Sequence, residues 1–214
     1  MPDADENRCR LCLVTTADTN IADFRPLLDA ALGGGDVASL IITGGGNDLQ
    51  TIAEALVPIA QAHDVAALVL NDTRIAGRAR ADGVHVDTGP ADLQAAIDAF
   101  HPDKLVGAGG PRTRHDAMVA GEADPDYIFF GRLDGDNKDG IFPKALNLAT
   151  WWSSVFVIPA MVMGGGSINS VTEAAGAGIE FVALRDAVWR HPDGPAAAVR
   201  EANRLLDAVR REAA

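Results

Sequence analysis

Acidic and amide residues follow two short apolar segments, at positions where they could bind a metal ion. Asn71 and Asp72 come directly after the apolar run 65–70, and Asp92 lies shortly after the run 82–86. Carboxylates at the ends of neighbouring strands can share Mg²⁺, a hard ion that prefers oxygen ligands and often bridges to phosphate. Asp is also a common residue at the start of a helix, where it caps free backbone N–H groups. Spacing alone leaves Asp72 open between a metal ligand and a helix cap.

A glycine run after a later apolar segment could bind a phosphate. Gly164, Gly165 and Gly166 come just before Ser167. Glycines have no Cβ and let backbone N–H groups approach an anion, and the start of a helix adds positive potential. A tight turn also uses glycines and is the alternative interpretation. The position of the run favours a phosphate site.

Apolar segments that read as strands alternate with helical segments along the chain. Eight strands are predicted, at 11–16, 36–43, 65–70, 82–86, 104–107, 126–131, 155–166 and 178–185. Continuous apolar runs are typical of parallel strands that are buried on both faces. Strict alternation with helices predicts parallel βαβ units with right-handed crossovers.

Eight such units in 214 residues fit a small (β/α)8 barrel. A doubly wound open sheet is the alternative, but the first turn, T-T-A-D-T-N, lacks the G-x-G-x-x-G motif of that fold. The predicted fold is therefore α/β, a single-domain (β/α)8 TIM barrel over residues 11–214. Residues 1–10 are predicted to form a disordered acidic tail.

Composition excludes several classes of function. The net charge is −12, and bases cluster only in the C-terminal helix, where acids alternate with them, so nucleic acid is not an expected partner. No apolar run is long enough for a membrane helix and the N-terminus is polar, which predicts a cytoplasmic protein without a membrane partner. Cys9 and Cys12 lack the further ligands that a zinc site needs.

In a barrel, function lies at the C-terminal ends of the strands. Three cations are predicted there: Arg112 after the fifth strand, Lys138 after the sixth and Arg185 after the eighth. Lys138 lies in a loop rich in Gly and Asp, which is predicted to be mobile. Small barrels often hold a phosphate between the loops that follow strands seven and eight. The sequence therefore predicts an anion site near Gly164–Gly166.

The motifs at these strand ends resemble those of the thiamine phosphate synthase and thiazole tautomerase family. Asn71-Asp72, the segment 81–86 (A-D-G-V-H-V) and Asp92 resemble the family's N-D … A-D-G-V-H-L-G-Q-x-D. Further matches are D-Y-I-F-F-G at 126–131, Lys138 at the family's T-x-T-K, the glycines at 164–166 with Asn169, and A-G-A-G at 175–178. The likeness covers most of residues 11–189.

The resemblance implies a (β/α)8 barrel enzyme, a transferase of thiamine biosynthesis. Its reaction joins hydroxymethylpyrimidine diphosphate to a thiazole phosphate and releases pyrophosphate, so a phosphorylated pyrimidine and a phosphorylated thiazole are the expected small-molecule partners. It implies Mg²⁺ as cofactor, with Asp72 and Asp92 as ligands. The resemblance implies that the catalytic Lys138 contacts the pyrophosphate and that Asn71, Gly164, Gly165 and Gly166 bind substrate. Arg112, as a catalytic residue, and Arg185, as a substrate-binding residue, are further candidates at positions where the chain departs from the family pattern.

The chain departs from the family pattern at the second strand. The family carries Q-L-R-x-K there, whereas this chain reads I-I-T-G-G at 41–45 and lacks all three polar groups. Arg112 stands near a family His after strand five, and Arg112, Arg132 or Arg185 could replace the lost cations. Two alternatives follow: an enzyme of the thiazole tautomerase type, or a non-catalytic relative that binds a phosphorylated ligand. A homodimer is compatible with the barrel, and Trp151, Trp152 and Trp189 are candidates for its interface or for the core.

Overall fold

The computed structural model describes residues 8–16, 20–44 and 49–213, with side chains up to 210. Its strands are β1 Arg10–Val14, β2 Ser39–Ile42, β3 Ala66–Leu70, β4 Gly83–Val86, β5 Leu105–Ala108, β6 Tyr127–Phe130, β7 Ala160–Met163 and β8 Phe181–Leu184. Each strand pairs in parallel with the next along the chain, and β8 pairs with β1, where Arg10 lies opposite Phe181. The predicted single (β/α)8 TIM barrel is confirmed.

Helices alternate with the strands around the barrel. In the described part of the chain they span Ile21–Leu32 (α1), Leu49–Ala62 (α2), Thr73–Ala79 (α3), Pro90–Phe100 (α4), Arg114–Gly121 (α5), Pro143–Ser153 (α6), Val171–Gly176 (α7), Asp186–Trp189 (α8) and Pro195–Ala213 (α9). A turn of 3₁₀-helix at Ile168–Ser170 precedes α7. The short α8 directly after β8 matches the extra helix that small barrels use near a phosphate.

Side-chain alternation along the strands divides the core into two buried layers. Leu11 and Leu13 belong to the larger cluster between strands and helices, whereas Cys12 and Val14 belong to the cluster inside the barrel. Successive side chains of a strand point to opposite faces, so every second residue fills the barrel interior. The other members of the interior cluster are Ile41, Leu68, Tyr127, Phe129, Met161, Met163 and Ala183.

The seventh strand is shorter than its sequence predicts. The apolar run from 155 reads as strand, but only Ala160–Met163 pairs in the sheet. Val157 is fully exposed, and the Trp152 indole N–H donates to the carbonyl of Ile158 at 2.7 Å. The ring of Trp152 also stacks on Phe156, with 3.9 Å between ring centroids. This stretch therefore closes the turn after α6, because its aromatic side chain packs back on the helix.

The predicted tail at 1–10 falls mostly outside the described residues, since residues 1–7 are not among them. Arg8 pairs with Asp207 of α9 at 2.8 Å and with Asp36 at 2.9 Å. Arg10 begins β1 and also pairs with Asp36, at 2.7 Å. The described structure therefore includes three residues, 8–10, that the sequence assigns to the tail.

Candidate active site

The ends of β3 and β4 bring Asn71 and Asp87 together. The Asn71 side-chain amide donates to Asp87 Oδ1 at 2.8 Å, and the backbone N–H of Asp87 donates to Asn71 Oδ1 at 2.9 Å. Asn71 has a left-handed backbone (φ 58°), which asparagine adopts more readily than most residues. Two reciprocal bonds fix the relative position of the two strand ends, so Asn71 acts here as a clamp.

Asp72 is the N-cap of α3. Its Oδ1 accepts a hydrogen bond from the backbone N–H of Ile75 at 2.8 Å, which satisfies one of the free donors at the helix start. The side chain is half-buried, and no second hydrogen bond of this carboxylate is found among the described residues. Asp72 can therefore cap the helix and bind a metal ion at the same time, because the cap uses one carboxylate oxygen and leaves the other.

Asp92 lies apart from this pair of strand ends. It is exposed, in the first turn of α4 rather than at the end of β4. The register of β3 and β4 puts Asp87, rather than Asp92, at the level of Asp72. Leu70 lies opposite His85 in the β3–β4 register, and two residues further along each strand stand Asp72 and Asp87. Sequence reasoning missed Asp87, although its place two residues after His85 is a signal that could have found it.

His85 is buried in the barrel interior. It lies below the open end of the barrel that carries Asn71, Asp72 and Asp87, here called the mouth. Its Nδ1 lies 2.8 Å from the hydroxyl of Tyr127, and its ring meets Phe129 edge-on. Its Nε2 is buried with no hydrogen-bond partner in the described structure and faces Gly109, where a Cβ would come within 2.6 Å of it. Burial lowers the pKa of His85 to about 4, against a smaller opposite effect of Asp87. The imidazole is therefore neutral near pH 7.

Acidification is expected to destabilise the protein through His85. The unfolded chain binds this proton at a pKa of 6.5 and the folded chain only at about 4, so stability falls as the pH drops from 6.5 to 4. A shift of this size corresponds to about 3 kcal/mol of unfolding free energy. Urea unfolding across this pH range measures it, with His85→Gln as comparison. A pH slope in His85→Gln equal to that of the wild type would contradict the expectation.

The glycine run after β7 has its amides engaged within the protein. Gly164 N–H donates to the carbonyl of Ala183 at 2.8 Å, and Gly165 N–H donates to Ser170 Oγ at 2.9 Å. Gly166 N–H donates to the carbonyl of Lys138 at 2.6 Å. A Cβ on Gly165 would lie 2.1 Å from the carbonyl oxygen of Asp139, so another chain segment passes directly over this glycine. The amides expected to bind a phosphate are therefore covered in this arrangement.

Arg185 lies beside the glycine run, as its place after β8 predicts. Its guanidinium pairs with Asp136, Nη2 to Oδ1 at 2.6 Å, and Nε donates to Oδ2 at 3.3 Å. The Asp136 side chain is 0% exposed, and its Oδ2 also accepts from the backbone N–H of Asp186 at 2.9 Å. Sequence reasoning missed Asp136, because an Asp in a loop rich in Gly and Asp gives no sign of burial.

Lys138 and Arg112 stand on different loops, and both side chains are exposed. Lys138 lies between β6 and α6, where its carbonyl meets Gly166. Arg112 lies just before α5, and its backbone N–H donates to Asp116 Oδ2 at 3.0 Å. No contact between the two cations is found in the described structure. Both exposed side chains can reorient. The structure therefore fixes the loops that carry Lys138 and Arg112 but not the direction of their side chains.

The positions that lack the family's polar groups are built into the barrel. Ile41 is fully buried in the interior cluster, and Thr43 exchanges hydrogen bonds with Thr15. The Thr43 backbone N–H donates to Thr15 Oγ1 at 2.8 Å, and its hydroxyl donates to the Thr15 carbonyl at 2.9 Å. Gly45 lies outside the described residues. The end of β2 therefore contributes packing at 41 and 43, where the family pattern carries Gln and Arg.

The carboxylates at the mouth fit a Mg²⁺ site only if a substrate supplies further oxygen ligands. Within residues 8–16, 20–44 and 49–210, no group of three or more His, Cys, Asp or Glu side chains could hold a metal ion. Mg²⁺ keeps several waters and is often bound through one or two carboxylates plus substrate phosphates. Asp72, with one carboxylate oxygen left by the helix cap, is of the type that such binding needs. The described residues do not form a metal site made of protein ligands alone.

The profile of the family described as thiamine monophosphate synthase matches residues 11–188, most of the chain. The chain belongs to the thiamine monophosphate synthase family. The family membership predicted from the motifs is therefore confirmed, and the match extends from β1 to α8.

Proteins named thiamine-phosphate synthase are similar along nearly their whole length. The one from Hyphomonas neptunium is 34% identical over 211 residues, which cover 94% of this chain and 96% of the other. The one from Rhodospirillum centenum is 34% identical over 202 residues, covering 92% and 98%. The structure of thiamine phosphate pyrophosphorylase from Pyrococcus furiosus superposes with a TM-score of 0.75 at 21% identity, covering 95% and 98%, which supports the fold.

This member of the thiamine monophosphate synthase family has no described helix that is both long and apolar enough to cross a membrane. Its polar groups follow several strands at the same end of the barrel: Asn71, Asp72 and Asp87 follow β3 and β4, and Arg185 follows β8.

Proposed function

We propose that this protein is a thiamine phosphate synthase acting in thiamine biosynthesis. In the reaction, the bond between the pyrimidine methylene carbon and the diphosphate oxygen breaks, and pyrophosphate leaves with the electron pair. The thiazole nitrogen then forms the new C–N bond. The observation that carries the proposal is the family match over residues 11–188 on a barrel whose mouth holds Asn71, Asp72 and Arg185. The predicted cytoplasmic location and homodimer remain predictions.

The residues at β3 and β4 serve the diphosphate end. Asp72, together with Asp87 or Asp92, would hold Mg²⁺, which when bound would neutralise charge on the leaving pyrophosphate. Asn71 positions Asp87 through its two hydrogen bonds. Lys138 and Arg112, whose exposed side chains can reorient, supply cations to the same leaving group.

The residues at β7 and β8 serve the thiazole phosphate. The backbone N–H group of Gly166 and the guanidinium of Arg185 are the donors that an anion accepts from once the loop carbonyl of Lys138 and the carboxylate of Asp136 leave them. The N–H groups of Gly164 and Gly165 stay bonded to Ala183 and Ser170 and hold the turn in shape. Holding the phosphate there orients the thiazole nitrogen toward the mouth. Because both substrates are held at one end of the barrel, the two reacting atoms meet without diffusing apart.

A second candidate function is the non-catalytic binding of a phosphorylated ligand. Ile41 and Thr43 occupy positions where the family pattern carries Gln and Arg, and both are committed to the core. The two cations of the family pattern are an Arg and a Lys, at the positions of Thr43 and Gly45. Charge-assisted hydrogen bonds contribute about 1.5–3 kcal/mol each, so losing both can lower a rate by orders of magnitude. A thiazole tautomerase is less well supported, because such an enzyme uses a His after strand five and this chain has Arg112 near that position.

Purified protein is expected to form thiamine phosphate from hydroxymethylpyrimidine diphosphate and thiazole phosphate, and only when Mg²⁺ is present. The measurement is product formation by chromatography, with and without a chelator. Lys138→Ala is expected to lower the rate, whereas Lys144→Ala, on α6, serves as the matched control. Absence of product together with measurable binding of thiazole phosphate would instead establish the non-catalytic function.

A further inference from the structure

The loop at 131–142, between β6 and α6, lies across the ends of β7 and β8. Its carbonyl oxygens at Lys138 and Asp139 accept from the N–H groups of Gly166, at 2.6 Å, and Ser167, at 3.2 Å. The Asp139 carbonyl also lies against Gly165, in the space where any Cβ would be. The loop thus satisfies backbone donors that would otherwise face the mouth.

The same loop inserts one carboxylate between these strand ends. Asp136 lies against Arg185, and its Oδ2 accepts from both the Arg185 Nε and the Asp186 backbone N–H. Its Oδ1, only 2.6 Å from Arg185 Nη2, makes an ion-pair contact without hydrogen-bond geometry. The carboxylate is therefore fully buried yet imperfectly matched to the donors around it.

Arg185 and the N–H groups of Gly166, Ser167 and Asp186 are donors that could bind an anion, and acceptors of the loop 131–142 already bond to all of them. A guanidinium and the backbone N–H groups after β7 and β8 are what a phosphate in a small barrel accepts from. Here one carboxylate and two carbonyls accept from them instead. A phosphate dianion could not join Asp136 in this space, because two anions beside one guanidinium would repel each other.

We infer that Asp136 is a built-in competitor that occupies the phosphate position at β7 and β8, so that a phosphorylated ligand binds only by displacing the loop 131–142. The inference rests on the proposed function, since it assigns the thiazole phosphate to the same donors. Ligand entry and loop release are then one event, and release would also free the Lys138 backbone from Gly166.

Inorganic phosphate is the probe that tests this competition. Isothermal titration of Asp136→Asn is expected to show phosphate binding at least 10-fold tighter than in the wild type. Asparagine keeps an oxygen for the Asp186 N–H but no longer neutralises Arg185. Asp134→Asn is the matched control: Asp134 lies in the same loop, exposed, and pairs with Arg132 at 2.8 Å, so its affinity for phosphate should equal the wild type's.

Hydrogen exchange on the wild-type protein tests the same idea without a variant. Saturating phosphate is expected to increase amide exchange at 132–142, whereas a ligand that docks on a closed loop would decrease it. Equal phosphate affinity in wild type and Asp136→Asn, or slower exchange in the loop, would overturn the competition and leave the synthase assay unaffected. If neither protein binds phosphate, the phosphate site at β7 and β8 is itself wrong and the inference falls with it, even where synthesis is observed.

Discussion

Replacing Asp72 with asparagine is expected to lower the rate of thiamine phosphate formation by about 100-fold or more, the usual effect of removing one group that stabilises charge in the transition state. The change removes the carboxylate charge but keeps a side-chain oxygen. Titration of Mn²⁺ as a spectroscopic substitute for Mg²⁺, in the presence of pyrophosphate, should show a matching loss of metal affinity.

Stability should be unchanged in the same variant. Asparagine caps a helix as well as aspartate does, so the bond from the Ile75 N–H survives and α3 keeps its start. Asp87→Asn and Asp92→Asn then identify the second ligand, since only the residue that shares the metal should reproduce the loss. Full activity and metal affinity in Asp72→Asn would mean that Asp72 serves only as a cap.

Replacing Arg185 with methionine is expected to lower the free energy of unfolding by about 3–5 kcal/mol, because it leaves one member of a buried ion pair without its partner. Asp136 is 0% exposed in the folded protein and Arg185 only 19%. Urea unfolding measures the loss, and Asp136→Asn added to the same variant should restore most of it by removing the buried charge.

The exposed pair in the same loop provides the control. Arg132 and Asp134 are also held by two hydrogen bonds, but their side chains are 79% and 56% exposed. Exposed pairs contribute about 0–1 kcal/mol, so Arg132→Met should have little effect. Equal losses from Arg132→Met and Arg185→Met would show that burial of the Asp136 pair carries no special stability.

The barrel could be predicted from the sequence because each of its signals is local. Apolar runs such as 65–70 and the helical repeat that follows them depend on neighbours a few residues away. Strict alternation then leaves one closed parallel sheet as the simplest arrangement. The seventh strand was the exception, because the same apolar run at 155–159 can pair in a sheet or pack on α6, and only the packing of Trp152 on Phe156 decides between them.

The site could be predicted only as a set of strand ends. Asp72 and Arg185 follow strands directly, so their location at the mouth follows from the fold alone. The pairing of Asp136 with Arg185 joins residues that are 49 positions apart in sequence, across a loop whose path no local pattern determines. For the same reason the sequence indicated a mobile loop, whereas the structure buries one of its carboxylates.

Closure of the barrel between β1 and β8 has a consequence for synthesis on the ribosome. Arg10 and Phe181 lie opposite each other in the sheet, so the first strand waits for nearly the whole chain before its last neighbour exists. Until then β1 offers an apolar, unpaired edge, which is the kind of surface that aggregates or recruits chaperones. Elongation over the roughly 170 residues between these two strands, about 10–30 s, therefore sets how long this edge stays exposed.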